Sequence, residues 1–174
     1  MAFLVRKISR GKWPNEPVQK EEIEADAISD IRTTKNTLSL WRVESEAEIE
    51  SAVLALSASS KSEQIETIDI VWIPESVFDN YGIEISEETP GDTVVEDLAN
   101  NHRDLIHITY KTLGDIAEII TKEILDQAHY KKVTKSKVKE LLINAYKDKR
   151  ILEEKCTPKM LEKIKQEYEK SIVN

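Results

Sequence analysis

Only one cysteine, Cys156, occurs among the 174 residues, so no disulfide can form within the chain. The four glycines leave no place for a glycine-rich phosphate loop: there is no G-x-x-x-x-G-K-[ST], no G-x-G-x-x-G, no G-x-S-x-G and no C-x-x-C. Aromatic residues make up 6% of the chain, few for stacking on nucleic-acid bases. No run approaches the ~18 apolar residues of a membrane span. Arg6, Lys7 and Arg10 interrupt any signal-like apolar stretch after Met1. A cytoplasmic protein that does not enter membranes is the expectation.

Charge is plentiful but unevenly placed. The net charge is −8, yet residues 131–174 carry 13 Lys/Arg against 7 Asp/Glu, leaving 12 basic and 26 acidic residues in 1–130. From Glu63 to Asp104 there are twelve Asp/Glu, one arginine (Arg103) and no lysine. Such a run is either a solvated face or a negative surface for a basic partner. The abundance of Ile, Lys and Glu with few Gly resembles proteins from AT-rich bacterial or phage genomes.

The chain is organised around Thr37–Pro74. Leu38, Leu40 and Arg42 alternate with Ser39, Trp41 and Val43, the pattern of a half-buried strand. Ser45 and Glu48 have the spacing of a capping box, and Ile49, Ala52, Val53 and Leu56 then form one helical stripe. Ile68–Ile73 is apolar on both faces except at Asp69, as in a central strand covered on two sides. The unit reads as β-α-β, with a right-handed crossover if its strands are parallel in one sheet.

Around this unit, Met1–Arg10 reads as a strand able to join the sheet, and Trp13 before Pro14 as a plug at the core edge. Glu21–Ile31 reads as a short amphipathic helix, Glu75–Tyr81 as a helical turn ended by Gly82, and Ile83–Ile85 as a brief strand. Thr93–Leu105 reads as a helix through Val94, Val95, Leu98 and Ala99, with Asp92 as its cap. Thr112 starts another, striped by Leu113, Ile116, Ala117, Ile120 and Ile124. Two last helices follow, one marked by Val138, Leu141, Leu142, Ala145 and Tyr146. The other is capped by Thr157-Pro158 and striped by Leu161, Ile164, Tyr168 and Ile172. The expected fold is α/β (α+β): a small mixed sheet with a β-α-β-like unit, flanking helices and a C-terminal helical hairpin. Residues 1–128 form the acidic α/β part and 129–174 the basic hairpin, packed on the same domain or on a partner.

Candidate sites follow from charge and loop chemistry. Glu84, Glu87, Glu88, Asp92, Glu96 and Asp97 would meet a basic protein partner. Arg32, Thr33, Thr34 and Asn36 offer a guanidinium and hydroxyls to an anion, although a helix end followed by a turn is the plainer reading. Lys131, Lys132, Lys135, Lys137 and Lys139 would carry any nucleic-acid contact. His102 and His107, five apart with Asp104 between them, match no metal-ligand register, and Cys156 has no histidine near it in sequence, so structural roles are expected for all three. Asp69 is the carboxylate in the most unusual setting, and pairing with Arg32 or Arg42 is its expected role.

No catalytic residue, metal or cofactor is assigned. The expected function is a non-catalytic protein–protein interaction subunit of a bacterial or phage system, of immunity, antitoxin-like or complex-accessory type. The alternatives are a nucleic-acid-binding protein using the basic C-terminal helices, or a small enzyme centred on Asp69 and Arg32.

Overall fold

A computed structural model describes residues 1–173. Six strands form one sheet: β1 (Phe3–Ile8), β2 (Leu38–Val43), β3 (Ile68–Pro74), β4 (Ile85–Ser86), β5 (His102–Leu105) and β6 (Tyr130–Val133). Their order is β4-β5-β2-β1-β3-β6. Six helices pack on it: α1 (Ala25–Asp30), α2 (Ile49–Ser57), α3 (Glu75–Asn80), α4 (Tyr110–Asp126), α5 (Lys135–Lys147) and α6 (Pro158–Val173). The fold is mixed α/β, as the hydrophobic periodicities predict.

β2 and β3 point the same way, as a β-α-β unit requires. They are not neighbours, because β1 lies between them and is antiparallel to both. Every hydrogen-bonded strand pair is therefore antiparallel, where a mixed sheet was expected. Strand alternation sends Phe3, Val5, Trp41, Val43, Ile68, Ile70 and Trp72 to one face, against α2, α5 and α6. Leu4, Ile8, Leu38, Leu40, Val71 and Ile73 go to the other, against α1, α3 and α4. Both faces of β1 and β3 are thus covered, and Leu4, Val5, Ile70, Val71 and Ile73 have no exposed surface.

Trp13 is buried, its Nε1–H donating to Asp30 Oδ2 at 2.9 Å. The Glu21–Ile31 helix is split into a 3-10 turn at Lys20–Glu22 and the short α1. The box at Ser45 does not form: Ser45 makes no side-chain cap, and Glu48 accepts instead from the Glu44 amide at 3.1 Å, so a 3-10 turn precedes α2. α4 starts two residues before Thr112, capped by Thr109, whose hydroxyl accepts from the Thr112 amide. Thr157 caps α6 as read, accepting from the Met160 amide at 3.2 Å.

Two larger differences bear on function. Residues 93–105 are not a helix: Thr93–Val95 are buried, a 3-10 segment runs over Glu96–Asn101, and His102–Leu105 is β5. Their last four residues pair instead with β2, in the register Leu38↔Leu105 to Trp41↔His102, which satisfies their backbone groups within the sheet. The C-terminal segment also begins with a strand. β6 pairs with β3 from Val71↔Tyr130 to Ile68↔Val133, and Val133, Val138, Leu142, Ala145, Met160 and Ile164 share the core beneath α2.

Candidate functional site

α2 lies against β2 and β1 and stops at Ser57, beside the outer strands β2 and β5. A cleft of about 390 Å³ opens there. Its floor is made by cross-strand pairs, Trp41 beside His102 and Ser39 beside Asp104. Ala55, Leu56 and Ser59 form one wall, from the end of α2 and the turn after it. Thr89, Pro90 and Asp92 form the other, from the loop that follows β4. Among the described residues that line it, the only carboxylates are Asp92 and Asp104, and none is Lys or Arg.

The polar groups of this cleft are held in fixed positions. Asp104 Oδ1 accepts from the Ser39 hydroxyl at 3.0 Å. Asp92 Oδ2 accepts from the Ser59 hydroxyl at 2.8 Å and its Oδ1 from the Ser60 amide at 3.2 Å, so Asp92 braces the loop against the end of α2 rather than capping a helix. Burial would raise the Asp92 pKa, but the hydrogen bonds from Ser60 and Ser59 outweigh it and hold the carboxyl below its ordinary range. His102 is buried, edge-on to Trp41 at 5.6 Å, and its Nδ1 lies 2.8 Å from Thr89 O. Its Nε2 faces Asp104 Oδ1 at 3.7 Å, beyond hydrogen-bond reach. Gly91 lies directly on this pair: a Cβ there would come within 2.3 Å of Trp41 Cη2 and 2.8 Å of His102 Cβ.

Of the acidic residues singled out from the sequence, Asp92 lines the cleft, and several of the others are partnered. Glu87 pairs with Arg103 at 3.0 Å, and Asp97 takes both Nε and Nη2 of Arg150, the latter at 2.6 Å. Glu84 lies 3.7 Å from the exposed His107. Glu88 and Glu96 are exposed. His102 and His107 are thus separate, one in the cleft floor and the other on the surface.

The basic residues lie at the opposite edge of the sheet. Lys131 and Lys132 are exposed on the edge strand β6, a placement that discourages strand addition. Lys135 is exposed at the start of α5, Lys137 pairs with Glu50 and Glu140, and Lys139 pairs with Glu167 at 2.8 Å. Arg32 is exposed, and Thr34 and Thr37 close a two-residue turn in which Lys35 and Asn36 both have positive φ. That is the hairpin geometry for which asparagine is suited. Thr33 is half-buried beside it.

Asp69 takes the Tyr130 hydroxyl at 2.6 Å rather than an arginine. Burial and this carboxylate push the Tyr130 pKa up to about 12. Arg42 pairs instead with Glu75, at 2.9 Å, and Glu44. Burial raises the Cys156 pKa, and its thiol points to Leu152 O at 3.6 Å. His129, which no sequence motif marks, sits between Glu123 and Glu46 and packs on Phe3 and Trp72. It ties the end of α4 to the turn before α2. Among the described residues no group of three or more His, Cys, Asp or Glu is placed to hold a metal ion, and no helix is long and apolar enough to cross a membrane.

Neither a protein-family model, a curated protein nor a solved structure matches this chain.

Proposed function

We propose that this protein is a non-catalytic interaction subunit, of accessory, immunity or antitoxin-like type, that docks a basic protein partner over the flank formed by β4, β5 and residues 87–97. The observation that carries the reading is the cleft beside β5, where Asp92 and Asp104 are the only carboxylates among the described lining residues, none of which is Lys or Arg, and are fixed in place by Ser59, Ser60 and Ser39. Preset acceptors in a concave site need little reorganisation to receive a cation. The exposed Glu88 and Glu96 add long-range attraction that raises association rate and weakens with salt.

The test is affinity capture from the native host with the wild-type protein and with a Glu88→Lys, Asp92→Asn, Asp104→Asn variant that retains its fold by circular dichroism. The expected result is a basic protein retained by the wild type in a salt-sensitive way and lost from the variant. Identical capture by both, or tight salt-sensitive binding of duplex nucleic acid that depends on Lys131, Lys132 and Lys135, would overturn the reading in favour of the basic edge.

A further inference from the structure

The floor of the cleft sets an imidazole nitrogen beside a carboxylate. Thr89 O can only accept, so His102 Nδ1 carries the proton of that 2.8 Å hydrogen bond. In the neutral imidazole Nε2 is then a bare lone pair, facing a carboxylate oxygen 3.7 Å away with no hydrogen bond between them. The His102 side chain is 8% exposed and that of Asp104 13%, so bulk water gives this pair little solvation. Two acceptors in one shielded place call for a ligand that brings several N–H donors together with positive charge.

We infer that the cleft receives an arginine side chain of the partner protein, its guanidinium donating to Asp104 and His102; this rests on the docking function proposed above. A guanidinium is planar, weakly hydrated and carries five donors in a fixed fork, so it can serve two acceptors at once. Its aliphatic stem matches the apolar walls of Ala55, Leu56 and Pro90. A lysine ammonium is a compact, strongly hydrated point charge, and the same walls would strip its water without supplying equivalent acceptors. The Ser39 hydroxyl holds Asp104 from the side, leaving Oδ2 without a protein hydrogen bond and open to the second arm of the fork.

The test uses the full chain and three blocked pentapeptides, Ac-Gly-Ser-X-Ser-Gly-NH2, with X as arginine, lysine or citrulline, followed by amide and indole chemical shifts. The arginine peptide is expected to bind saturably, to move the signals of Ser39, Trp41 and His102, and to bind more tightly than free arginine. Lysine should be weaker by about tenfold, the factor that corresponds to ~1.4 kcal/mol. Citrulline, which keeps the shape and loses the charge, should be weaker still, and Asp104→Asn should reduce arginine binding by a similar factor.

Equal binding of lysine and arginine, or shifts outside the cleft, would overturn the inference. Both comparisons use wild-type protein and so survive a variant that fails to fold. Absent arginine binding with partner capture still dependent on Asp92 and Asp104 removes the arginine inference alone. Unchanged capture by the triple variant removes the docking function whatever the peptides do.

Discussion

Substituting Gly91 tests the packing that closes the cleft, because its environment separates steric from torsional cost. An added Cβ would lie 2.3 Å from Trp41 Cη2 and 2.8 Å from both Trp41 Cζ2 and His102 Cβ. Ordinary carbon contacts are about 3.5–4.0 Å, so roughly 1.2 Å of displacement is needed. Trp41 and His102 cannot easily supply it, being buried and packed on each other. The loop resists too: Gly91 N donates to Ala99 O at 2.9 Å, Thr93 N to Gly91 O at 3.0 Å and Val94 N to Ala58 O at 2.7 Å. Overpacking costs about 1–3 kcal/mol, and losing one of these bonds adds about 1. Gly91→Ala should therefore destabilise by about 2–4 kcal/mol.

Two other glycines calibrate the measurement. Gly82 has φ +64° and open space around it, so Gly82→Ala should cost about 1–2 kcal/mol through backbone strain alone. Gly11 has neither constraint, and Gly11→Ala should be neutral or stabilising by up to ~1 kcal/mol. Urea unfolding followed by tryptophan fluorescence gives all three values. A Gly91→Ala midpoint equal to that of Gly11→Ala would refute the contact between the loop and Trp41.

Ile70 is fully buried in β3, so Ile70→Ala should cost about 2–5 kcal/mol in denaturant melts, and a neutral result would remove β3 from the centre of the sheet. Tyr130→Phe should cost about 1 kcal/mol by removing the hydroxyl that Asp69 accepts. Because the folded Tyr130 pKa of about 12 lies above the unfolded value near 10, its contribution is complete below about pH 10 and lost as pH rises toward 12. Ultraviolet titration should find one tyrosine ionising last, and a single common transition would count against the Asp69 contact. Reversing Glu84, Glu87 and Glu88 to Lys should slow association with the captured partner several-fold at low salt, and reversing Lys135, Lys137 and Lys139 to Glu should slow it less. Stopped-flow rates in the opposite order would place the contact at the β6 edge.

Much of the architecture is legible in local pattern. Alternation marks β2, an apolar run on both faces marks β3, and three- and four-residue spacing marks α2, α4, α5 and α6, because each of these helices buries one face in the core. Where the reading fails, tertiary pairing overrides local preference. Val94, Val95 and Leu98 have helical spacing, yet they are buried against α2 and its core while β2 captures the residues after them. Lys131 and Lys132 look like part of a charged helical tail because an edge strand needs only one buried face, here Val133. Asp92, His102 and Asp104 are visible as individual residues, but Ser39 and Trp41 read only as strand. The cleft exists through the Ser39↔Asp104 and Trp41↔His102 register, which joins positions more than sixty apart and leaves no short motif.

The central place of β1 also sets an order of assembly. Its partners end at residues 43 and 74, and position 74 follows position 8 by 66 residues. At ~5–20 residues per second, β1 waits about 3–13 s before its second neighbour exists. Throughout that interval Leu4 and Val5, both fully enclosed in the finished molecule, lack their β3 neighbours Ile73 and Trp72. Synthesis thus passes through a stage in which a two-sided apolar strand is available to chaperones or to other nascent chains, and the sheet closes from its middle only after Pro74 has emerged.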